Sequence, residues 1–208
     1  MTIIIDYGVG NLFSLRSSFA YVGENAEVSS DPEVIRNADR IILPGVGAFA
    51  DAADKLKTSG MYDLVKELAA QGKPLLGVCL GMQLLFERSF EYGEHEGLGL
   101  IKGSVRPIAD VIPSGYKIPH IGWNAIKFHD PCGTGDKSPI FKYINEDDHV
   151  YFVHSYYGAD CEDSCIASCE YGAELTAAVA KGNVFGCQFH PEKSGKVGLN
   201  ILKAFCEI

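Results

Sequence analysis

The segment GVCLG at residues 77–81 constrains the fold of this chain more than any other part of the sequence. It follows the apolar run 74–76 and places one glycine two residues before Cys79 and another two residues after it. A strand that ends in a sharp turn into a helix requires such glycines, because backbone segments approach each other there too closely for a Cβ atom. The sequence therefore predicts a strand, a tight turn at Cys79 and a helix behind it.

Short β-branched runs alternate with amphipathic segments through the first half of the chain. This alternation is typical of parallel strands joined by crossover helices. In the segment 61–71, for example, Met61, Leu64 and Leu68 recur at helical spacing, so that one stripe faces a core. The predicted strands are 2–6, 26–29, 40–43 and 75–78. The predicted helices are 11–22, 31–38, 49–57 and 61–71.

The second half of the sequence has a different composition. After Phe90 the sequence is rich in glycine, proline and charged residues, which predicts short antiparallel strands and loops as far as about Cys169. A tight hairpin turn is predicted at Gly182-Asn183. Further strands are predicted at 150–153, 176–181 and 184–189, and a closing helix at 195–207. The expected fold is α/β: a doubly wound, mostly parallel central sheet flanked by helices, with an antiparallel strand region in the second half.

Length and composition describe one ordinary globular domain. The chain has 208 residues, of which 47% are hydrophobic and 22% charged, and single cores extend to roughly 250 residues. We therefore expect a single domain over 1–208. The net charge of −9 argues against nucleic acid as a partner, since such binding depends on Lys and Arg that neutralise phosphates. Neither a secretory signal nor an apolar run of roughly 20 residues is found, so we expect a cytoplasmic protein without membrane contact.

The seven cysteines show no disulfide framework spacing. Cys161, Cys165 and Cys169 recur at every fourth residue, which would suit a metal site or a helical stripe. Metal ligands usually come as CxxC pairs with a second pair or with histidines, and neither is present. The favoured interpretation is free thiols in a region of strands and loops, and no metal is expected.

The segment His190-Pro191-Glu192 supplies the groups that would make Cys79 a nucleophile. The thiolate is the reactive form of cysteine, and a neighbouring imidazolium favours it. At the end of a strand, residues 190 and 192 project to the same side, so Glu192 can bond one imidazole nitrogen while the other faces Cys79. Alone, Cys79 would be interpreted as a small buried residue and His190 as a satisfied histidine. Together the three residues predict a Cys79, His190 and Glu192 triad.

A thiolate that attacks a carbonyl carbon also needs hydrogen-bond donors for the oxyanion that develops. The turn at 77–81 offers the amide of Leu80. The loop PGVG at 44–47 follows a predicted strand and can present the amide of Val46 or Gly47, although Pro and Gly are also common in plain turns. The predicted oxyanion donors are therefore Leu80 together with Val46 or Gly47.

These motifs resemble those of a known family. GVCLGMQ at 77–83 and QFHPEKS at 188–194, in this order, are similar to the class I glutamine amidotransferases, whose triad is Cys, His and Glu. Four further segments resemble, more narrowly, the glutaminase subunits of imidazole glycerol phosphate synthases: DYGVGNL at 6–12, LPGVGAF at 43–49, PHIGWN at 119–124 and YFVHSYY at 151–157. The similarity extends over essentially the whole chain.

The resemblance implies that glutamine is the substrate. Cys79 would attack the side-chain amide, His190 would protonate the leaving nitrogen, and water would then hydrolyse the glutamyl thioester. Gln83 lies four residues after Cys79 and would face the same pocket. The resemblance implies four substrate contacts, the last two through the backbone: Gly47, Gln83, Ser155 and Tyr156.

The acceptor of the ammonia is expected to bind outside this chain. No GxxxxGK[ST] or GxGxxG loop is present, so neither a phosphate cradle nor a cofactor is predicted. The resemblance implies a (β/α)8 cyclase subunit, in a heterodimer, that makes imidazole glycerol phosphate and AICAR in histidine biosynthesis. It implies these partner-facing positions: Asn11, His120, Trp123, Asn124, Tyr151 and Lys193. Trp123, the only tryptophan, would suit an interface anchor or, alternatively, core packing.

Two other functions are open on the sequence alone. The same triad serves glutaminase subunits with other acceptors, such as those of anthranilate or aminodeoxychorismate synthase and of pyridoxal phosphate synthase; the PHIGWN segment weighs against them. A non-catalytic binding module with this fold would be expected to lack a triad member, and all three are present.

Overall fold

The computed structural model describes all residues from 1 to 208. Its strands are, in chain order, β1 (Thr2–Ile5), β2 (Ala26–Ser29), β3 (Arg40–Leu43), β4 (Leu75–Val78), β5 (Phe86–Ser89), β6 (His95–Glu96), β7 (Ile101–Pro107), β8 (His120–Ala125), β9 (Lys127–Phe128), β10 (His149–His154), β11 (Tyr156–Ala159), β12 (Cys165–Glu170), β13 (Glu174–Lys181) and β14 (Val184–Cys187). Its α-helices are α1 (Leu12–Tyr21), α2 (Pro32–Arg36), α3 (Phe49–Thr58), α4 (Met61–Ala70), α5 (Leu80–Gln83) and α6 (Gly195–Phe205). None of these helices combines the length and the apolar character needed to cross a membrane.

An eight-stranded sheet lies at the centre of the molecule, in the order β2-β1-β3-β4-β14-β13-β12-β9. The first five strands are parallel, and β13, β12 and β9 continue the sheet in antiparallel fashion. β1, β4 and β14 are buried along their whole length, as is typical of parallel strands covered on both faces. The predicted α/β fold with a mainly parallel central sheet is confirmed.

The sheet separates two hydrophobic cores. Ile3 and Ile5 belong to one core and Ile4 to the other, because successive side chains of a strand point to opposite faces. The first core also contains the buried faces of α3 and α4, and the second those of α1 and α6. Each fully buried aliphatic side chain contributes about 1.5–3 kcal/mol, so the parallel strands are a firm base for the loops at their ends.

The first half of the chain follows the sequence prediction closely. β2, β3 and β4 have the predicted bounds, and α1 to α4 differ from prediction by at most two residues at an end. Asp31 caps α2 by accepting a hydrogen bond from the Glu33 amide at 2.9 Å, and Pro32 occupies the first helical turn. The hairpin turn between β13 and β14 is also confirmed, with Gly182 at φ +59°.

Two further sheets, β11-β7-β5-β6 and β10-β8, are formed by the chain between β5 and β11. Most of their pairs are antiparallel, as predicted, but β5 was not predicted and pairs with β7 in parallel. The reason is that β6 reverses the chain beside β5, and β7 reverses it again on the opposite side of β5. The sequence shows none of this, because the strands are short and lack a clear alternation.

Candidate active site

Cys79 lies at the sharp turn between β4 and α5. Its backbone has φ +54° and ψ −112°, a region that side chains rarely adopt and that costs on the order of 1–3 kcal/mol. Its amide donates a hydrogen bond to the carbonyl oxygen of Cys187 at 2.7 Å, which ties the turn to the end of β14. The surrounding sheet thus holds a strained conformation that fixes the position of the thiol.

Gly77 and Gly81 permit this turn, as the sequence predicts. A Cβ atom on Gly81 would overlap the carbonyl oxygen of Leu43, and one on Gly77 would lie 2.6 Å from the carbonyl oxygen of Gly81. Both obstacles are backbone atoms, which cannot move aside. The helix behind the turn is shorter than the motif suggested, because α5 has four residues before the chain continues into β5.

His190 and Glu192 form a hydrogen bond next to the end of β14. His190 Nδ1 lies 2.9 Å from Glu192 Oε1, and the two side chains are 3% and 1% exposed. The predicted contact is present, but the reason given for it was wrong. β14 ends at Cys187, and a 3₁₀ turn at Pro191–Lys193, instead of strand alternation, returns Glu192 to the ring.

The environment of His190 favours its charged form. Burial opposes the charge, but hydrogen bonds to Cys79 and to Glu192 outweigh burial and raise the pKa of His190 to about 9. Because Nδ1 faces Glu192, Nε2 is the nitrogen that faces the thiol. Glu192 Oε2 has no partner, so the carboxylate acts on the ring through Oε1 alone. The three residues therefore lie in the order thiol, imidazolium, carboxylate.

A cavity of about 520 Å³ opens beside Cys79 and His190. Its volume lies in the range of small-molecule sites. Its wall includes all six residues that the sequence analysis assigned to the oxyanion and the substrate: Val46, Gly47, Leu80, Gln83, Ser155 and Tyr156. The structure thus brings these residues together, and their contacts with a ligand stay predictions.

The loop at 44–47 is held against the turn at Cys79. Tyr7 Oη donates a hydrogen bond to the carbonyl oxygen of Pro44 at 2.7 Å, and a Cβ atom on Gly45 would lie 2.5 Å from the amide nitrogen of Gly81. Val46 is exposed, and Gly47 has φ +93°. Neither of their amides donates to a backbone carbonyl, so both are free to serve as donors at the cavity.

Gln83 is buried at the cavity wall. Its Nε2 donates to the carbonyl oxygen of Tyr156 at 3.1 Å and to Gln188 Oε1 at 3.0 Å. Gln188 was not among the predicted site residues, and its Nε2 lies 3.9 Å from Cys79 Sγ. Its place two residues before His190 was the one available signal.

Glu91 and Tyr92 also line the cavity, and neither was a predicted site residue. Glu91 Oε2 accepts a hydrogen bond from the amide of Phe49 at 2.6 Å. The ring of Tyr92 lies edge-on to that of Tyr156, with centroids 6.4 Å apart. Both residues follow the unpredicted strand β5 and belong to no motif, so only the tertiary structure shows that a carboxylate stands at the cavity.

Three of the predicted partner-facing residues lie together at the surface, where Trp123 and Lys193 are exposed and Tyr151 is half-buried. Trp123 in β8 is paired with Tyr151 in β10, with ring centroids 6.1 Å apart, and Lys193 Nζ lies 5.9 Å from the centroid of the Tyr151 ring. Trp123 is 54% exposed, so its alternative interpretation as a core residue is wrong. We call Trp123, Tyr151 and Lys193 the aromatic patch.

His120 and Asn124 lie on the opposite face of β8, because alternation along a strand separates residues 120 and 124 from Trp123. His120 is 2% exposed, so the prediction that it faces a partner is wrong: its ring lies in the interior. Asn124 Nδ2 donates to the carbonyl oxygen of Glu170 at 2.8 Å. Asn11, also predicted to face the partner, is half-buried and caps α1.

Cys161 and Cys165 line a second cavity of about 530 Å³, which shares no residue with the first. Together with Cys169 they are free thiols. Burial raises the pKa of Cys161 to about 12 and that of Cys165 to about 11, so both are protonated and weakly nucleophilic at neutral pH. Cys165 and Cys169 belong to strand β12, which rules out a helical stripe.

Known proteins of similar sequence match nearly the whole chain. Residues 3–207 match the family model described as glutamine amidotransferase class-I. The imidazole glycerol phosphate synthase subunit HisH of Lactococcus lactis subsp. lactis is 48% identical over 99% of this chain and 97% of its own. The protein of the same name from Caldanaerobacter subterraneus subsp. tengcongensis is 50% identical with the same coverage. Among solved structures, PurLQS from Thermotoga maritima shares the fold with a TM-score of 0.74 at 18% identity, over 99% of this chain and 97% of that chain.

Proposed function

The chain belongs to the class-I glutamine amidotransferase family, and from this we propose that it is the single-domain glutaminase subunit of an imidazole glycerol phosphate synthase. The observation that carries the proposal is the buried His190 and Glu192 pair beside Cys79 at the wall of a cavity. Relatives named for this synthase match at 48% and 50% identity over nearly the full length, which favours it over amidotransferases with other acceptors.

Formation of the thioester begins at Cys79. In the proposed mechanism Cys79 reacts as the thiolate of a pair with the His190 imidazolium, and it attacks the side-chain amide carbon of glutamine. The carbonyl oxygen becomes an oxyanion that accepts hydrogen bonds from the amide of Leu80 and from that of Val46 or Gly47. Loss of one such donor typically costs on the order of 10²- to 10³-fold in rate.

His190 next acts as the general acid. It gives its Nε2 proton to the leaving nitrogen, the carbon–nitrogen bond breaks, and ammonia departs from a glutamyl thioester on Cys79. The neutral imidazole then takes a proton from water, and the hydroxide attacks the thioester carbonyl. Glutamate leaves, and the thiolate and imidazolium are restored. Glu192 holds the ring in place and stabilises its charge throughout.

The amino-acid end of glutamine lies in the part of the cavity that is lined by Gln83, Gly47 and the backbone of Ser155 and Tyr156. Glu91 adds a carboxylate at this wall, and we assign to it the α-ammonium group of the substrate. An ammonium group placed there gains a charge-assisted hydrogen bond, which is stronger than a neutral one.

The ammonia passes to a (β/α)8 cyclase subunit, the lyase component, in a cytoplasmic heterodimer. The aromatic patch supports this docking, because Trp123 is exposed and tryptophan and tyrosine anchors dominate many interfaces. The patch is also joined to the backbone of the triad, since the amide of His190 donates a hydrogen bond to the carbonyl oxygen of Tyr151 at 2.9 Å. Direct transfer keeps ammonia from water, where it would become unreactive ammonium.

The decisive experiment is Cys79→Ala in a complex of this chain with a barrel cyclase. Glutamate release should fall by about 10³-fold or more, while formation of imidazole glycerol phosphate from added ammonium continues. Cys165→Ala makes the same change outside the site and should leave glutamate release intact. Retained hydrolysis in Cys79→Ala would show that Cys79 is not the nucleophile. A wild-type complex that does not hydrolyse glutamine would refute the proposed function.

A further inference from the structure

His120 and His154 form a buried pair beside the cavity. They face each other where β8 begins and β10 ends, and they are 2% and 6% exposed. His120 Nδ1 lies 3.0 Å from His154 Nε2, and His154 Nδ1 lies 2.8 Å from the carbonyl oxygen of Tyr156. The mechanism above uses neither ring, although His154 lines the cavity.

The Tyr156 carbonyl fixes the direction of both hydrogen bonds. A carbonyl oxygen only accepts, so His154 carries its proton on Nδ1. In a neutral imidazole the second nitrogen then accepts, so His120 Nδ1 donates to His154 Nε2. Burial lowers the pKa of each ring to about 4, and both are therefore neutral near pH 7. The two hydrogen bonds therefore run in one direction, from His120 through His154 to the Tyr156 carbonyl.

Aromatic stacking fixes the ring of His120. The ring of His120 stacks on Phe152, with centroids 4.9 Å apart, and on Tyr171, with centroids 4.0 Å apart. Tyr171 is anchored in turn, because its hydroxyl donates to the carbonyl oxygen of Lys117 at 2.9 Å. A fixed His120 ring gives His154 one favoured orientation, in which its Nδ1 points at Tyr156.

The backbone segment that His154 contacts is part of the cavity wall. Ser155 and Tyr156 both line the cavity. The Tyr156 carbonyl accepts a second hydrogen bond from Gln83 Nε2 at 3.1 Å, and the Ser155 carbonyl accepts one from the amide of Ile108 at 3.0 Å. Both carbonyls are thus tied back into the protein, which leaves the connection between β10 and β11 a single orientation towards the cavity.

We propose that His120 and His154 are positioning residues for glutamine, which hold the Ser155–Tyr156 backbone in the orientation that the amino-acid end of the substrate requires. This inference rests on the proposed function. Neither ring is hydrogen-bonded to Cys79 or His190, and the backbone they hold contacts the part of glutamine that does not react. Loss of the pair therefore weakens substrate binding more than it slows the chemical steps.

The test compares three variants in complex with the cyclase. His154→Phe keeps a ring of similar size but removes both hydrogen bonds, whereas His154→Asn keeps a donor near the position of Nδ1. His154→Phe should raise the KM for glutamine about tenfold, equivalent to about 1.4 kcal/mol, with kcat changed by less than about threefold. His154→Asn should recover part of this loss. His120→Phe, which keeps the stacking, should raise KM by a smaller factor than His154→Phe.

The matched control is His149→Phe, because His149 is exposed at the other end of β10; its KM should equal that of the wild type. Product formation from added ammonium verifies that each complex assembles, and thermal unfolding verifies that each chain folds. If His154→Phe does not fold, His154→Asn and His120→Phe provide the comparison. An unchanged KM in a folded variant, or a fall in kcat alone, overturns the inference. A wild-type complex without glutaminase activity overturns the proposed function instead.

Discussion

The imidazolium of His190 exists at neutral pH because two neighbours hold it. Burial alone would lower the pKa of the ring and favour its neutral form. The hydrogen bonds to Cys79 and Glu192 reverse that effect and raise the pKa to about 9. The protonated ring is the general acid of the proposed reaction. Since its pKa is raised, the acid form is present below about pH 9 and is lost as the pH rises through that value.

Glu192→Gln should move the alkaline limit of kcat/KM to lower pH. The substitution keeps the size of the side chain but removes the charge that helps to hold the proton on His190. The measurement is glutamate release by the complex across about pH 6 to about pH 10 for both proteins. Titration of the substrate itself is common to both, so the difference between the profiles belongs to the protein. Identical alkaline limbs would show that Glu192 does not support the acid.

Gly81→Ala should destabilise the fold by more than the same substitution at a glycine with a left-handed backbone. The new Cβ would overlap the carbonyl oxygen of Leu43 inside the sheet. The control is Gly60→Ala, where a Cβ meets no atom within 4 Å but φ is +76°, which costs about 1–2 kcal/mol. Free energies of unfolding from denaturant titration compare the two. Equal losses would mean that the turn relaxes around the added methyl group.

The loop at 44–47 is held in part by a side chain outside it, that of Tyr7. Tyr7→Phe removes the hydrogen bond to the Pro44 carbonyl and should lower kcat about fivefold, the effect of about 1 kcal/mol, with little change in KM. Tyr62→Phe removes an equally short bond, to the carbonyl oxygen of Gly97, away from the cavity and should leave kcat unchanged. If both variants turn over glutamine like the wild type, Tyr7 does not position the oxyanion donors.

Elements were predictable from the sequence where a local pattern determines them. β3 and β4 were placed correctly because buried parallel strands are continuous apolar runs. β5 was missed because it is only four residues long and shows no alternation of apolar and polar residues. The triad residues were found because each belongs to a compact motif. Glu91 gains its significance only from tertiary contacts. Gln188 stands in the same motif as His190, but its approach to Cys79 exists only in the folded chain. His120 was assigned to the wrong face because β8 was not recognised as a strand.

Across the whole molecule, the aromatic patch is the surface that we expect the cyclase to cover. Trp123→Ala should weaken binding of the cyclase about 30-fold or more, since a central tryptophan anchor is worth about 2 kcal/mol or more. Tyr21→Ala removes another exposed aromatic ring, 80% accessible at the far end of α1, and should leave the affinity unchanged. Isothermal titration of each variant with the cyclase provides the dissociation constants. Similar constants for the two variants would place the interface elsewhere.

The nucleophile and its acid stand at the ends of two adjacent parallel strands, β4 and β14, which pair at Val78 and Cys187. Gln188, which lies just before the acid, is 109 positions from Cys79 along the chain. During synthesis on the ribosome, the thiol therefore emerges long before the imidazole that activates it. A nascent or truncated chain contains the thiol without its imidazole, so we expect no glutamine hydrolysis until β14 has joined the sheet.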